Sequence, residues 1–254
     1  VRATGNVEFA LDREGYVEGG DAGAWRPTET LGHRAMGCVT LNLPRVAYRA
    51  RGEEGLFAEL DKALAQALEA SAQKRLLLEQ LARGAGGDCA NWASPRGSSR
   101  PPSVSEAYFV GLLGLEEMVK AWTGRSGTAS EGNRSAARQV VAYLRARCDE
   151  LSARYGTPLV LNQSPAETAA HRLAKLDADQ FRKQAQQVLG HRAAAYYTNS
   201  TWLDTAAPVT ARERVALEAE LHHLLLGRRG TQLWAGEDSP SAKETWALLR
   251  WAAR

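Results

Sequence analysis

The sequence predicts an α/β protein made mainly of parallel strands with flanking helices. Three short apolar runs carry that reading: GCVTLNLP at 37–44, the strand-like start of SEAYFVGLLGLEEMVKAWTG at 105–124, and LVL at 159–161. The second and third pass directly into helical patterns. Long helical segments also separate the runs, and a parallel pair needs that kind of crossover. No repeat of fixed period and no linker interrupts the pattern. The expectation is a single α/β domain over 36–254, after an irregular Gly- and charge-rich lead-in at 1–35.

Each element has its own signal. Residues 37–44 are apolar and partly β-branched and close on Pro44, which suits a buried strand. Residues 53–83 form an amphipathic helix with Leu56, Leu60, Leu64 and Leu68 on one face, and it stops at GAGGD. The ANWASPRGSSRPP stretch reads as a loop. The second strand-to-helix passage ends at Gly124, and the helix over 132–156 ends at Gly156 and Pro158. After LVL a helical stretch runs from Ser164 to about Leu189. Then follow the irregular AYYTNSTWL, a helix at about 211–226, a short strand GTQLWAG and a last helix near 240–252.

Composition narrows the function classes. The 254 residues are 44% hydrophobic and 24% charged, with 32 basic and 29 acidic side chains scattered along the helices. No basic patch suggests a nucleic acid or a membrane surface as partner. No apolar stretch reaches membrane-spanning length, and the first twenty residues lack a signal-peptide core. Cys38, Cys89 and Cys148 lie far apart and form no CxxC pair, which suits reduced thiols in the cytoplasm. His222 and His223 are adjacent, so they point to different sides of a helix, and His171 has no ligand partner one turn on. No metal site is expected. The first residue is Val: either an alternative start codon was read literally, or the chain begins inside something longer.

Three stretches are chemically suggestive. Ser164-Pro165-Ala166-Glu167-Thr168 places a helix start directly after a strand, where free N–H groups and the helix dipole can hold a phosphate or carboxylate. The same residues also read as a plain capping box, with Ser164 as the cap, Pro165 at the first helical position and Glu167 three residues after the cap. Tyr196 to Thr201, with Thr198, Asn199 and Ser200, could line a polar pocket or form an ordinary turn. Asn42, polar within VTLNLP, needs a hydrogen-bond partner if buried, either a ligand or a neighbouring strand.

Taken together, these segments resemble the anaerobic, glycyl-radical ribonucleoside-triphosphate reductases. GCVTLNLPRVAY resembles the family's G-V-V-T-I-N-L-P-R-I-A, SPAETAAHRLAKLD its T-P-A-E-[GS]-T…R-x-A-x-x-D, and YYTNSTWL its Y-Y-T-N-S-x-x-L. FVGLLGLEEMV and GTQLWAGE are fainter echoes of I-G-L-V-G-L-N-E and G-G-T-x-x-H-x-F-x-G-E, and the order is kept over residues 30–240. The resemblance implies the second half of a ten-stranded α/β barrel. It also implies a ribonucleoside triphosphate whose phosphates sit at the turn Ser164 to Thr168. Asn42 would be the catalytic residue of this chain, an active-site Asn beside the ribose, with Thr198, Asn199 and Ser200 close to the same pocket. Glu167 would act as a cap or positioning group, because a carboxylate repels phosphate.

Family members form a thiyl radical on a finger-loop Cys, but the matching stretch YVEGGDAGAWRP at 16–27 has none. Cys38 stands within the strand in place of a Val. The resemblance assigns this chain no cofactor of its own. It implies a glycyl radical installed by a radical-SAM activase, on a segment not among these residues. The zinc-binding CxxC pairs, the first barrel half and the ATP cone are not among them either. The expectation is therefore part or a relative of such a reductase, inactive as this chain alone and partnered by the missing barrel half or other subunits. The alternative is a non-catalytic half-barrel serving as a structural or interaction subunit.

Overall fold

The computed structural model describes residues 33–84, 105–125, 130–163, 166–190, 195–227, 229–233 and 240–252. Strand β1 (His33–Asn42) begins inside the stretch expected as lead-in; residues 1–32 lie outside the described residues. It runs straight into helix α1 (Leu43–Arg49), so Pro44 sits in a first helical turn and does not close the strand. The reason is local: proline's missing N–H is no loss at a helix start, and Asn42 Oδ1 accepts the Arg45 N–H at 3.4 Å as the cap.

Helix α2 (Gly52–Gly84) crosses to β2 (Ser105–Leu113). A turn at Gly114 leads into α3 (Leu115–Thr123), closed by left-handed Gly124. Helix α4 (Glu131–Tyr155), closed by left-handed Gly156, crosses to β3 (Leu159–Gln163). The three strands pair in parallel in the order β1-β2-β3. Side chains alternate across a strand, and one sheet face presents Leu41, Val110, Leu112 and Leu161 to both crossover helices. There they meet Leu56, Leu60 and Leu64 of α2 and Val140, Val141 and Leu144 of α4. Each such fully buried aliphatic side chain contributes about 1.5–3 kcal/mol. The other face carries Ala107, Phe109 and Val160, covered by Leu226.

Beyond β3, the single helical stretch expected to about Leu189 is two helices, α5 (Glu167–Gln180) and α6 (Arg182–Leu189). Phe181 breaks them apart at φ −122°, ψ 45°, and its ring packs 5.7 Å from that of Tyr48. Packing of that ring overrides helix propensity. Helix α7 (Ala211–His222), shorter than the expected 211–226, starts with a capping box between Thr210 and Glu213. Helix α8 (Ala242–Ala252) buries no residue. The expected strand GTQLWAG is not found at 230–233, and 234–236 lie outside the described residues. No described helix is long and apolar enough to cross a membrane.

Candidate functional site

All three parallel strands deliver their chemistry at their carboxyl ends, the edge where open α/β sheets bind ligands. Strand β1 ends at Asn42, β2 at the Gly114 turn, and β3 at the turn into α5. The loop 195–203 is laid across them. Asn199 forms an antiparallel bridge with Leu113. The Gly114 N–H donates to the Thr198 carbonyl at 2.9 Å, and the Leu115 N–H to that of Ser200 at 3.3 Å. Ser200 has φ +52°, the one positive φ of a non-glycine among the described residues.

The same loop holds the start of α5. Asn199 Oδ1 accepts the Ala166 N–H at 3.3 Å, while Asn199 Nδ2 donates to Glu167 Oε1 at 3.1 Å. Glu167 is the first residue of α5 with Ala166 as its cap, so it does not stand at the third helical position that a capping box uses. Asn199 thus holds the backbone N–H of the residue that caps α5. Ser164 and Pro165 lie outside the described residues. Glu167 and Thr168 are exposed, Ala166, Asn42 and Asn199 are half-buried, and Thr198 and Ser200 are buried.

Asn42 meets the loop through a third party. Its Nδ2 donates to Asp177 Oδ2 at 2.7 Å, and the Tyr197 hydroxyl donates to the same oxygen at 2.9 Å. The Arg45 guanidinium completes the cluster, with Nε 2.6 Å and Nη2 2.5 Å from Asp177 Oδ1. Asp177 is wholly buried, which is sustainable because a charged partner and further donors surround it. Burial raises the Tyr197 hydroxyl pKa, and pushes that of Tyr48 up to about 12.

Glu117 of α3 is another buried carboxylate at this edge. Its Oε1 accepts from the Thr198 N–H at 2.9 Å and the Thr198 hydroxyl at 2.8 Å. Its Oε2 has no partner among the described residues. Burial pushes its pKa from 4.5 to about 7, against the opposing pull of the two Thr198 bonds. Gly114 makes this packing feasible: a Cβ there would stand 2.6 Å from Pro44 Cγ and 3.4 Å from Glu117 Oε2.

At the end of β3, Gln163 Nε2 donates to the Thr201 hydroxyl at 2.7 Å, and its Oε1 accepts the Gly230 N–H at 2.6 Å. Between these parts opens a cleft of about 300 Å³ whose lining includes Glu167, Tyr196, Thr198, Asn199, Trp202 and Arg214, a volume within the range of small-molecule sites. Arg214 is bonded to the carbonyls of Leu203 and Asp204 and paired with Glu218. Among the described residues no group of three or more His, Cys, Asp or Glu could hold a metal ion.

Sequence reasoning missed Asp177 and Glu117 as individual residues. A signal for Asp177 was present: it continues the apolar stripe of Ala170 and Ala174, where a helix faces its core. Glu117 was marked by the apolar setting of LGLEEMV and by the closing Glu of the fainter I-G-L-V-G-L-N-E echo.

The family model of the anaerobic ribonucleoside-triphosphate reductases matches residues 9–254. The chain belongs to that family. It is 30% identical over 198 residues to the anaerobic ribonucleoside-triphosphate reductase of Salmonella typhimurium and 29% identical to that of Escherichia coli, covering 74% of this chain in each case. The match spans 27% of each reductase's own length. A solved anaerobic ribonucleotide reductase from Thermotoga maritima, with glycerol in its active site, superposes with a TM-score of 0.68 at 20% identity. It matches over 85% of this chain and 34% of its own. Another structure of the Thermotoga maritima enzyme, in complex with dATP and CTP, gives a TM-score of 0.64 at 18% identity. These likenesses establish the fold: the parallel sheet and its helices are part of a reductase α/β barrel, as the sequence predicts.

Proposed function

We propose that this chain is the second barrel half of an anaerobic ribonucleoside-triphosphate reductase and holds the ribonucleoside triphosphate at the carboxyl ends of its strands. The observation that carries this is the convergence there of three motif segments, through Asn42–Asp177–Tyr197 and Leu113–Asn199–Ala166. The N–H groups at the start of α5, at the turn Ser164 to Thr168, take the phosphates, as a helix N-terminus does for anions. The Asn42 amide donates to the ribose. Thr198, Asn199 and Ser200 shape the wall, and Glu117 and Gly114 hold that wall in place.

The glycyl radical and the thiyl it generates would supply the hydrogen-atom chemistry of 2′-hydroxyl removal. The described residues hold and orient the substrate for that chemistry, with Asn42 beside the ribose. The finger-loop stretch 16–27 has no Cys and lies outside them, so polypeptide beyond this sequence is part of the reading.

A second reading, the non-catalytic half-barrel, is favoured by one feature. The motif side chains already satisfy one another, with Asn199 occupying the Ala166 N–H and Asn42 bonded to both Arg45 and Asp177. Calorimetric titration of the chain with ATP, CTP, GTP and UTP separates the two. Saturable binding that Asn42→Ala weakens at least about tenfold, about 1.4 kcal/mol, with the fold retained, supports the nucleotide site. No heat of binding at millimolar nucleotide, with a folded protein, supports the structural module.

A further inference from the structure

We propose that Asp177 is a positioning residue that fixes the direction of the Asn42 amide, so that Asn42 offers a bound nucleotide one N–H donor and no acceptor. The inference rests on the nucleotide-site reading above, and it adds the device that makes the contact directional.

An asparagine amide has one oxygen that accepts and two N–H bonds that donate. Both ends of the Asn42 amide are claimed by groups that have no choice of role. The Arg45 backbone N–H can only donate, and it lies 3.4 Å from Oδ1. The Asp177 carboxylate, paired with the Arg45 guanidinium, can only accept, and its Oδ2 lies 2.7 Å from Nδ2. Turning the amide over would set donor against donor at Arg45 and acceptor against acceptor at Asp177. One orientation remains. It leaves the second Nδ2 hydrogen without a bond to the described residues, on a half-buried side chain at the strand end. The ligand group it suits is an acceptor, such as a sugar hydroxyl oxygen.

Asp177 is itself immobilised. It is wholly buried on the apolar stripe of α5 beside Ala170 and Ala174, and it accepts from Tyr197 and Arg45 besides Asn42. A buried carboxylate with every bond directed is the kind of support that keeps a site residue within its productive geometry. Asparagine at 177 keeps the volume but no longer presents Asn42 with an acceptor only, and the preference then rests on the long 3.4 Å bond from the Arg45 N–H alone.

The test uses the full chain labelled with ¹⁵N. The Asn42 side-chain NH₂ pair is assigned by its loss in Asn42→Ser. In the wild type one of its two protons should resist solvent exchange and the other should not. In Asp177→Asn the pair should move toward the position of a free amide, and CTP affinity should fall at least tenfold. Cys148→Ala, in the core between α4 and the sheet, controls for general loss of stability and should change neither signal nor affinity. A folded Asp177→Asn protein with unchanged Asn42 signals overturns the proposal. So do two equally fast-exchanging Asn42 protons in the wild type, a readout that holds even if Asp177→Asn fails to fold. If Asn42 behaves as expected but the wild type binds no triphosphate, the positioning stands and the nucleotide site falls.

Discussion

Replacing Glu117 with Gln should remove a pH-dependent weakness from the fold. The Glu117 carboxyl titrates at 4.5 when unfolded and about 7 in place, chiefly because it is buried. A raised folded-state pKa in an acid means that the native state binds the proton more tightly. Stability is then full below about pH 4.5 and declines as pH rises through about 7. At about 1.4 kcal/mol per pH unit, the full span comes to about 3 kcal/mol, most of it between about pH 5 and about pH 8. Glutamine keeps an oxygen for the Thr198 N–H and hydroxyl and carries no charge at any pH. The Gln variant should therefore gain about 2–3 kcal/mol on the wild type over that range, whatever its stability at the acid end. Urea unfolding followed by tryptophan fluorescence at several pH values measures it, since unchanged m-values leave the midpoint to report stability. Wild-type and variant stabilities that run parallel with pH would refute the argument, because they would place the carboxyl in contact with water and leave the Thr198 turn open.

Two further outcomes follow from single residues. Gly114→Ala should destabilise by about 2 kcal/mol or more, from the left-handed conformation at φ +74° together with a Cβ 2.6 Å from Pro44 Cγ. A thermal melt reads the loss, and an unchanged midpoint would mean that the turn has room the packing does not show. Burial of Cys148 pushes its thiol pKa up to about 12, so iodoacetamide near neutral pH should spare it in the folded protein while exposed Cys38 is modified. Peptide mass spectrometry resolves the two sites, and equal labelling would show that α4 opens readily.

The sheet and its crossover helices were legible in the sequence because each rests on a strong local signal. The leucine ladder of α2, the apolar runs of β2 and β3, and the glycines at 124 and 156 all mark their elements without help from distant residues. The turn chemistry was only half legible. Ser164-Pro165-Ala166-Glu167 spells a self-contained cap, but α5 starts at Glu167, and the N–H of Ala166 before it is held by Asn199, distant in sequence. Local spelling could not reveal a partner held there by β2. Pro44 misled for a related reason, since the residue that ends a strand and the residue that begins a helix can be the same proline. Asp177 and Glu117 both stand inside the resembling segments, yet nothing local singled them out, because a lone carboxylate on a helix is ordinarily solvated. Only the tertiary structure supplies the Arg45 and Thr198 groups that make their burial tolerable.

The order of the strands along the sheet is also their order along the chain. Of the three described strands, β1 with α1 and α2 is made first, β2 pairs with it next, and β3 pairs with β2 last. None of these three strands has to be inserted between two that are already paired. The carboxyl-end network closes last, because Asp177, Tyr197 and Asn199 all follow β3 in the chain. An unfinished polypeptide could thus form its hydrophobic layer early, with the groups that address a ligand joining only after the scaffold beneath them exists.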